Sequence, residues 1–289
     1  QQAVDRAAAN DTVVVRGGVY GTGARSVKPL TIAGQTGFAM PRFGGPIHFD
    51  SLGADTVWLR RLVVADAPTG VQVRSLGGVL SMDSVTIERA GGHGLDVMNA
   101  DSISLRGVAI MGAQDAGIIT VDVRALALAG VTVDGVSSSG GQGTGNAVAV
   151  MRAQSFSADS SSFRLGAVEL DSVLDIRLHQ VQVAETYGLL FKATGTASVV
   201  LDTASFRMGG SQAYTGFAVE LDMLPGGTVV GRETEISDVS GQGLSVFQAD
   251  SAHFEGLRVF AGGGPNAISN VAAGFSGVAL SAASISRRA

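Results

Sequence analysis

Apolar residues fall two apart in short runs separated by turns, and the stretch Gly94 to Ala116, GLDVMNADSISLRGVAIMGAQDA, holds three such runs in succession. Leu95 and Val97, Ile103 and Leu105, and Val108 and Ile110 have the spacing of strands with one buried face. Three such faces enclose a narrow core, so the stretch reads as one module of a solenoid. The run after the loosest turn recurs as IHFD at 47–50, VQVR at 71–74, LDVM at 95–98, IITV at 118–121 and VAVM at 148–151. It continues as VELD at 168–171, LLFK at 189–192, VELD at 219–222, LSVF at 244–247 and ISNV at 268–271. Modules of ~20 to 30 residues bury their apolar faces only against neighbouring modules. The pattern predicts one continuous domain of about ten coils, roughly 50 Å long at ~4.8 Å per strand.

The ends depart from the repeat. Gln1 to Asn10, QQAVDRAAAN, is Ala-rich with Val4, Ala7 and Ala8 on one helical face, which predicts a capping helix over 1–10 and solenoid over 11–289. A cap shields the core layer and the unpaired strand edge at an open end. No comparable pattern closes the C-terminus, and the expectation is a longer chain with neighbouring domains or a signal peptide.

The opening QQAVDRAAANDTVVVRGGVY resembles that of right-handed parallel β-helix proteins of the pectin-lyase-like superfamily, in which a capping helix leads into a DTVxVxxGxY segment. The later modules, of the form G-apolar-x-apolar, S-apolar-x-apolar, V-x-apolar, resemble the repeats of that family over almost the whole chain. The resemblance implies an all-β, single-stranded right-handed parallel β-helix with three sheets. It also implies an exported bacterial protein, extracellular or at the cell surface, in a carbohydrate context. Lyases, hydrolases, epimerases, tailspikes and adhesins share the repeat, so activity has to be argued from side chains.

Composition narrows the partners. A formal charge of −5 and the absence of any basic cluster argue against nucleic acid, and no run of ~18 apolar residues points to membrane insertion. With no cysteine, disulfides and thiolate metal sites are excluded.

Long insertions are expected between the third strand of one module and the first strand of the next, at Thr36 to Pro46, Val136 to Gly145 and Met208 to Gly216. These would rim the first sheet, and loops on a rigid scaffold carry binding residues. The Gly140 to Asn146 run, GGQGTGN, precedes a strand and not a helix, so it reads as a corner and not as a phosphate loop.

The three outer faces differ. That of the second sheet reads Trp58, Ser81, Ser104, Ala127, Ser157, Arg177, Val200, Val230 and His253, mostly small and uncharged. Trp58 is either covered by flanking chain or a sugar-stacking platform. The third face runs from Thr86 to Arg258 as an ordinary solvated surface, and His179 and His253 read as solitary. On the first sheet one outward file is His48, Gln72, Asp96, Ile119, Ala149, Glu169, Leu190, Glu220, Ser245 and Ser269. The file beside it is Asp50, Arg74, Met98, Val121, Met151, Asp171, Lys192, Asp222, Phe247 and Val271.

Two ionisable patches flank an apolar saddle on this face. The first holds His48, Asp50, Gln72, Arg74 and Asp96, with His93 from the adjacent corner, and Asp50 is expected to pair with Arg74. A carboxylate, a guanidinium and an imidazole together would neutralise an acidic sugar and move a proton; the same groups also suit a surface ion-pair ladder. Gly92-His93-Gly94 resembles the His-Gly element of polygalacturonase-like enzymes, whose Asn-Thr-Asp, Asp-Asp and Arg-x-Lys elements are absent.

The second patch stacks Glu169 and Asp171, then Lys192, then Glu220 and Asp222. It suits ion pairing, a pair of glycosidase carboxylates (Glu169 and Glu220, ~10 Å apart over two coils) or a Ca²⁺ ion held by clustered oxygens. The expected function is polysaccharide or surface-glycan binding along the first sheet, with lyase, hydrolase or epimerase chemistry as its extension. The alternative is a non-catalytic structural or adhesive solenoid segment of a larger surface protein.

Overall fold

Residues 1–137, 145–186, 188–208, 217–239, 242–261, 266–268 and 283–285 are described by a computed structural model. They form a parallel β-solenoid of about ten turns with one short helix. Nine successive parallel pairings link ten rungs of sheet 1, from Ala24–Ser26 to the rung containing Leu244 and Phe247.

The core follows from the period-two alternation. Ile47, Val71, Leu95, Ile118, Val148, Val168, Phe191, Val219 and Leu244 stack in one interior file of sheet 1, all buried. In the next file Thr120 stands between Val97 and Val150, fully buried, with its hydroxyl unpaired. Phe156, Phe163, Phe206 and Phe254 fill the interior from the other two sheets.

Most corners hold one residue in the left-handed region. Between sheets 1 and 2 these include Ser51, Ser75, Asn99, Asp122, Arg152, Ser172, Gly195 and Gln248, with φ of 51 to 62°. Equivalent files at the other corners include Arg61, Ser84, Gly107 and Gly130, and Asp66, Arg89, Gly112 and Gly135. A non-glycine residue there costs about 1 kcal/mol or somewhat more, so the corner is held by the ladders on either side and not by local preference.

The helix, α1, spans Gln2–Arg6 and not the whole of 1–10; Val4 is buried and Ala7 is partly buried against the core. It lies against Ala24–Ser26. The Gln1 side-chain amide receives the Arg25 N–H and donates to the Arg25 carbonyl, both at 3.0 Å, so it mimics one residue of an additional strand. Lys28 Nζ takes the carbonyls of Asp5 and Ala7 at the end of the helix.

The insertion at Thr36 to Pro46 is placed differently from the expectation. Arg42–Phe43 is itself the sheet 3 strand of its coil, paired with Val19–Tyr20 on one side and Val63–Val64 on the other. The extra chain before it therefore lies between sheets 2 and 3. The two other insertions leave from Thr132–Asp134 and Ser205–Met208 and re-enter at Asn146 and Phe217, but 138–144 and 209–216, with most of GGQGTGN, lie outside the described residues. So do Ser269 and Val271. Among the described residues no helix is long and apolar enough to cross a membrane.

Candidate functional site

Sheet 1 presents its two outward files as the alternation requires, with one change of register. His48, Gln72, Asp96, Ile119, Ala149 and Glu169 are successive partners, as are Asp50, Arg74, Met98, Val121, Met151 and Asp171. At the next rung Lys192 pairs with Glu169 and Thr194 with Asp171. Lys192 therefore belongs to the first file, between Glu169 and Glu220, and Thr194 stands between Asp171 and Asp222. Leu190, expected outside, is fully buried. The reason is that Phe191 and Ala193 are the inward pair of that rung, two residues later than the LLFK pattern suggested.

The first patch is an ion-pair network. Arg25, the outward residue one rung before His48, places its guanidinium 2.9 Å from Asp50. His48 Nε2 lies 2.7 Å from the other Asp50 oxygen, although it makes no well-directed hydrogen bond there. The His48 ring and the Arg25 guanidinium hold the Asp50 carboxyl below the usual carboxylate range, against the opposing effect of its partial burial.

The expected Asp50–Arg74 pair is not formed. Arg74 turns instead to Asp96 on the following rung, where Gln72 also donates at 3.1 Å. Asp50 and Arg74 are direct rung partners, but a guanidinium on a long stem reaches a diagonal carboxylate as readily as an opposite one. Asp96 is nearly buried, while Arg74 keeps one enclosed nitrogen, Nη1, without a partner. His93 Nδ1 is likewise enclosed and unpaired, and His93 is not drawn into the network.

The second patch has fewer internal contacts. Lys192 Nζ lies 3.1 Å from Glu220. Glu169 accepts a hydrogen bond from Asn146, and Asp171 accepts from the hydroxyls of Thr194 and Ser172. Glu169 and Glu220 are two rungs apart with the ammonium of Lys192 between them, which removes the open water site an inverting pair needs. Among the described residues no three His, Asp or Glu groups converge as a metal site would require.

Between the patches Met98, Ile119, Val121, Ala149 and Met151 form an apolar saddle, each residue partly exposed. The other faces are as read: Trp58 to His253 and Thr86 to Arg258 each stack in register. Arg60 lies 4.2 Å over the Trp58 ring, so one indole face is covered. His179 is not solitary, because its Nδ1 is 3.0 Å from Asp202 on the next rung. Arg25 and this pair escaped the sequence reading. Ala24-Arg25-Ser26 lacks large apolar residues and hides a rung, whereas the spacing of Asp159, His179 and Asp202 would have revealed the second.

Paired corners add charge ladders outside the site. Asp66 is bound by Arg89, Asp101 by Arg124 and Asp122 by Arg152, each through two nitrogens of the guanidinium. In each case the hydrogen bonds from the arginine hold the carboxyl below its ordinary value, against the opposing effect of desolvation. A pKa lower in the folded than in the unfolded chain gives stability that is present above the ordinary carboxylate range and lost as pH falls through the lowered value. The melting temperature is therefore expected to fall below about pH 4. Arg124→Met and Arg152→Met should flatten that profile, and an unchanged acid limb in the double variant would contradict the assignment.

No family model, curated protein or solved structure matches this chain. What the surface does must therefore be argued from its own side chains.

Proposed function

We propose that the outer face of sheet 1 binds an extended polysaccharide laid along the solenoid axis, across the saddle between the two polar patches. The observation that carries this reading is the saddle itself. Met98, Ile119, Val121, Ala149 and Met151 occupy three consecutive rungs, partly exposed, with hydrogen-bonding groups at both ends. Sugar rings pair an apolar C–H face with polar edges, and a binding site for them combines apolar contact with a few placed polar groups. On the outer face of sheet 2 the apolar residues Val200 and Val230 stand in a single file with charged neighbours, Asp202 and Arg232, beside them. The resemblance of the repeat to the pectin-lyase-like superfamily supports a carbohydrate ligand and an exported or cell-surface setting.

The proposal is one of binding. In the first patch the two carboxylates, Asp50 and Asp96, are each held by an arginine and so serve to shape the surface. An array of immobilised glycans tests the surface. Ile119→Asp and Met151→Asp are expected to weaken retention at least about tenfold, the scale of desolvating a new charge; Ser104→Asp on sheet 2 should leave it unchanged. Equal retention by all three variants would remove sheet 1 as the site.

A second reading, a structural or adhesive solenoid segment, is favoured by the first coil. Val14, Val19 and Val27 are well exposed there, and among the described residues Thr12–Val15 pairs on one side only. Such an edge invites further strands, and concentration-dependent assembly in the absence of glycan binding would favour it.

A further inference from the structure

Resting on the reading of sheet 1 as a glycan surface, we infer that its ligand is a neutral, hydroxyl-rich polysaccharide and not a polyuronate or other anionic polymer. The inference comes from how the charges on the face are already matched. Three cations stand in the two files, Arg25, Arg74 and Lys192. Each touches a carboxylate: Asp50 at 2.9 Å, Asp96, and Glu220 at 3.1 Å respectively. Each cation of the face already has a resident carboxylate, so a ligand carboxylate would have to compete for Arg25, Arg74 or Lys192 with one that the fold holds in place.

The carboxylates outnumber them. Besides Asp50, Asp96 and Glu220, the files carry Glu169, Asp171 and Asp222, and among the described residues none of these three has a cation in contact. With histidines neutral, three cations against six carboxylates leave the face at −3. The excess sits at one end of the saddle, spread over three rungs and offset in part by Arg152 at the adjoining corner, which interacts with Asp171, in the path of any chain that lies along the axis.

A polymer with a carboxylate on each sugar would bring like charge onto this end, where the one cation of the files, Lys192, already faces Glu220, which costs affinity and association rate together. A hydroxyl meets the same groups favourably, since it donates to an ionised carboxylate in a charge-assisted hydrogen bond. The ring C–H face then packs on Ile119, Val121 and Met151. The first patch is compatible with this ligand because it is internally neutral, two arginines against Asp50 and Asp96. A neutral ligand runs opposite to the expectation that these groups neutralise an acidic sugar.

The experiment is a binding titration of the full chain against soluble neutral glucans, mannans and galactans and against polygalacturonate and alginate, at low and at moderate salt. Neutral polymer should bind with less than about a twofold change across the salt range, since screening acts on charge pairs. Polyuronate should not bind. Glu169→Gln/Asp171→Asn/Asp222→Asn should weaken the neutral ligand about tenfold, as charge-assisted bonds become ordinary ones, and should admit polyuronate. Asp222→Asn alone gives the same directions if the triple variant does not fold. Binding of polyuronate by the unaltered chain, with affinity falling steeply as salt rises, would overturn the inference while leaving the glycan surface in place. Binding of neither class would remove the surface reading itself, and this inference with it.

Discussion

Gly94→Ala is expected to destabilise the solenoid by about 3 kcal/mol or more, the upper part of the range for overpacking. A Cβ on Gly94 would meet the Gly117 carbonyl oxygen at 2.6 Å and Ile110 Cγ2 at 2.5 Å. The isoleucine tip has some freedom, but the carbonyl belongs to the next coil and cannot withdraw without breaking the ladder. The same contact repeats along the axis. A Cβ on Gly70 would meet Gly94 O at 2.4 Å, and one on Gly117 would meet Ala147 O at 2.6 Å. Gly53 supplies the control, since nothing lies within 4 Å of its added Cβ. Gly53→Ala should change stability by no more than about 0.5 kcal/mol. Urea unfolding of both variants decides the matter: equal midpoints would mean that the backbone relaxes around the methyl group.

Phe156→Ala should cost about 3–5 kcal/mol, the usual penalty for emptying a fully buried aromatic site. Phe156 lies in the middle of the stack, between Leu126 and Ile176 on the neighbouring rungs, with essentially no exposure. In a one-dimensional array each coil is stabilised by its two neighbours, so the loss also weakens the coupling between the two halves. The variant should show a lower denaturant slope and earlier hydrogen exchange near residues 145–165 than near residues 70–110. A single transition of unchanged slope, shifted by less than about 1 kcal/mol, would show that the surrounding side chains close the gap.

The architecture was readable because its signal is local and repeated. A strand of period two, a short corner and a restart suffice to place Ser81, Ser104 and Ala127 on one file and Thr86, Ala109 and Thr132 on another, as found. The reading slipped where the alternation is weak. Leu189, Leu190 and Phe191 are three apolar residues in a row, and the true inward partner of Phe191 is the small Ala193. A two-residue displacement preserves the face, so Lys192 lies on the expected surface but in the neighbouring file. The first coil was obscured for the same reason, since Ala24 and Ser26 are too small to announce a rung.

The candidate site was legible as a set of residues and illegible as a set of bonds. Register determines that Asp50, Arg74 and Asp96 stand near one another, but the choice of Asp96 over Asp50 depends on which rotamers the flanking side chains leave open. Arg25 decides it in part, because it already occupies Asp50 from the other side. The glycines show a similar division. Their recurrence at the start of each module is plain in the sequence, whereas the carbonyl that excludes a side chain there belongs to the adjacent coil.

In most coils the bend between sheets 1 and 2 is confined to one residue whose identity varies freely, serine, asparagine, aspartate or arginine. A single revolution is therefore a transferable cassette. Duplicating one in a gene would elongate the axis by a step of ~4.8 Å while every other bend kept its dihedrals. The length of glycan spanned can thus evolve by copy number, independently of the chemistry that grips it.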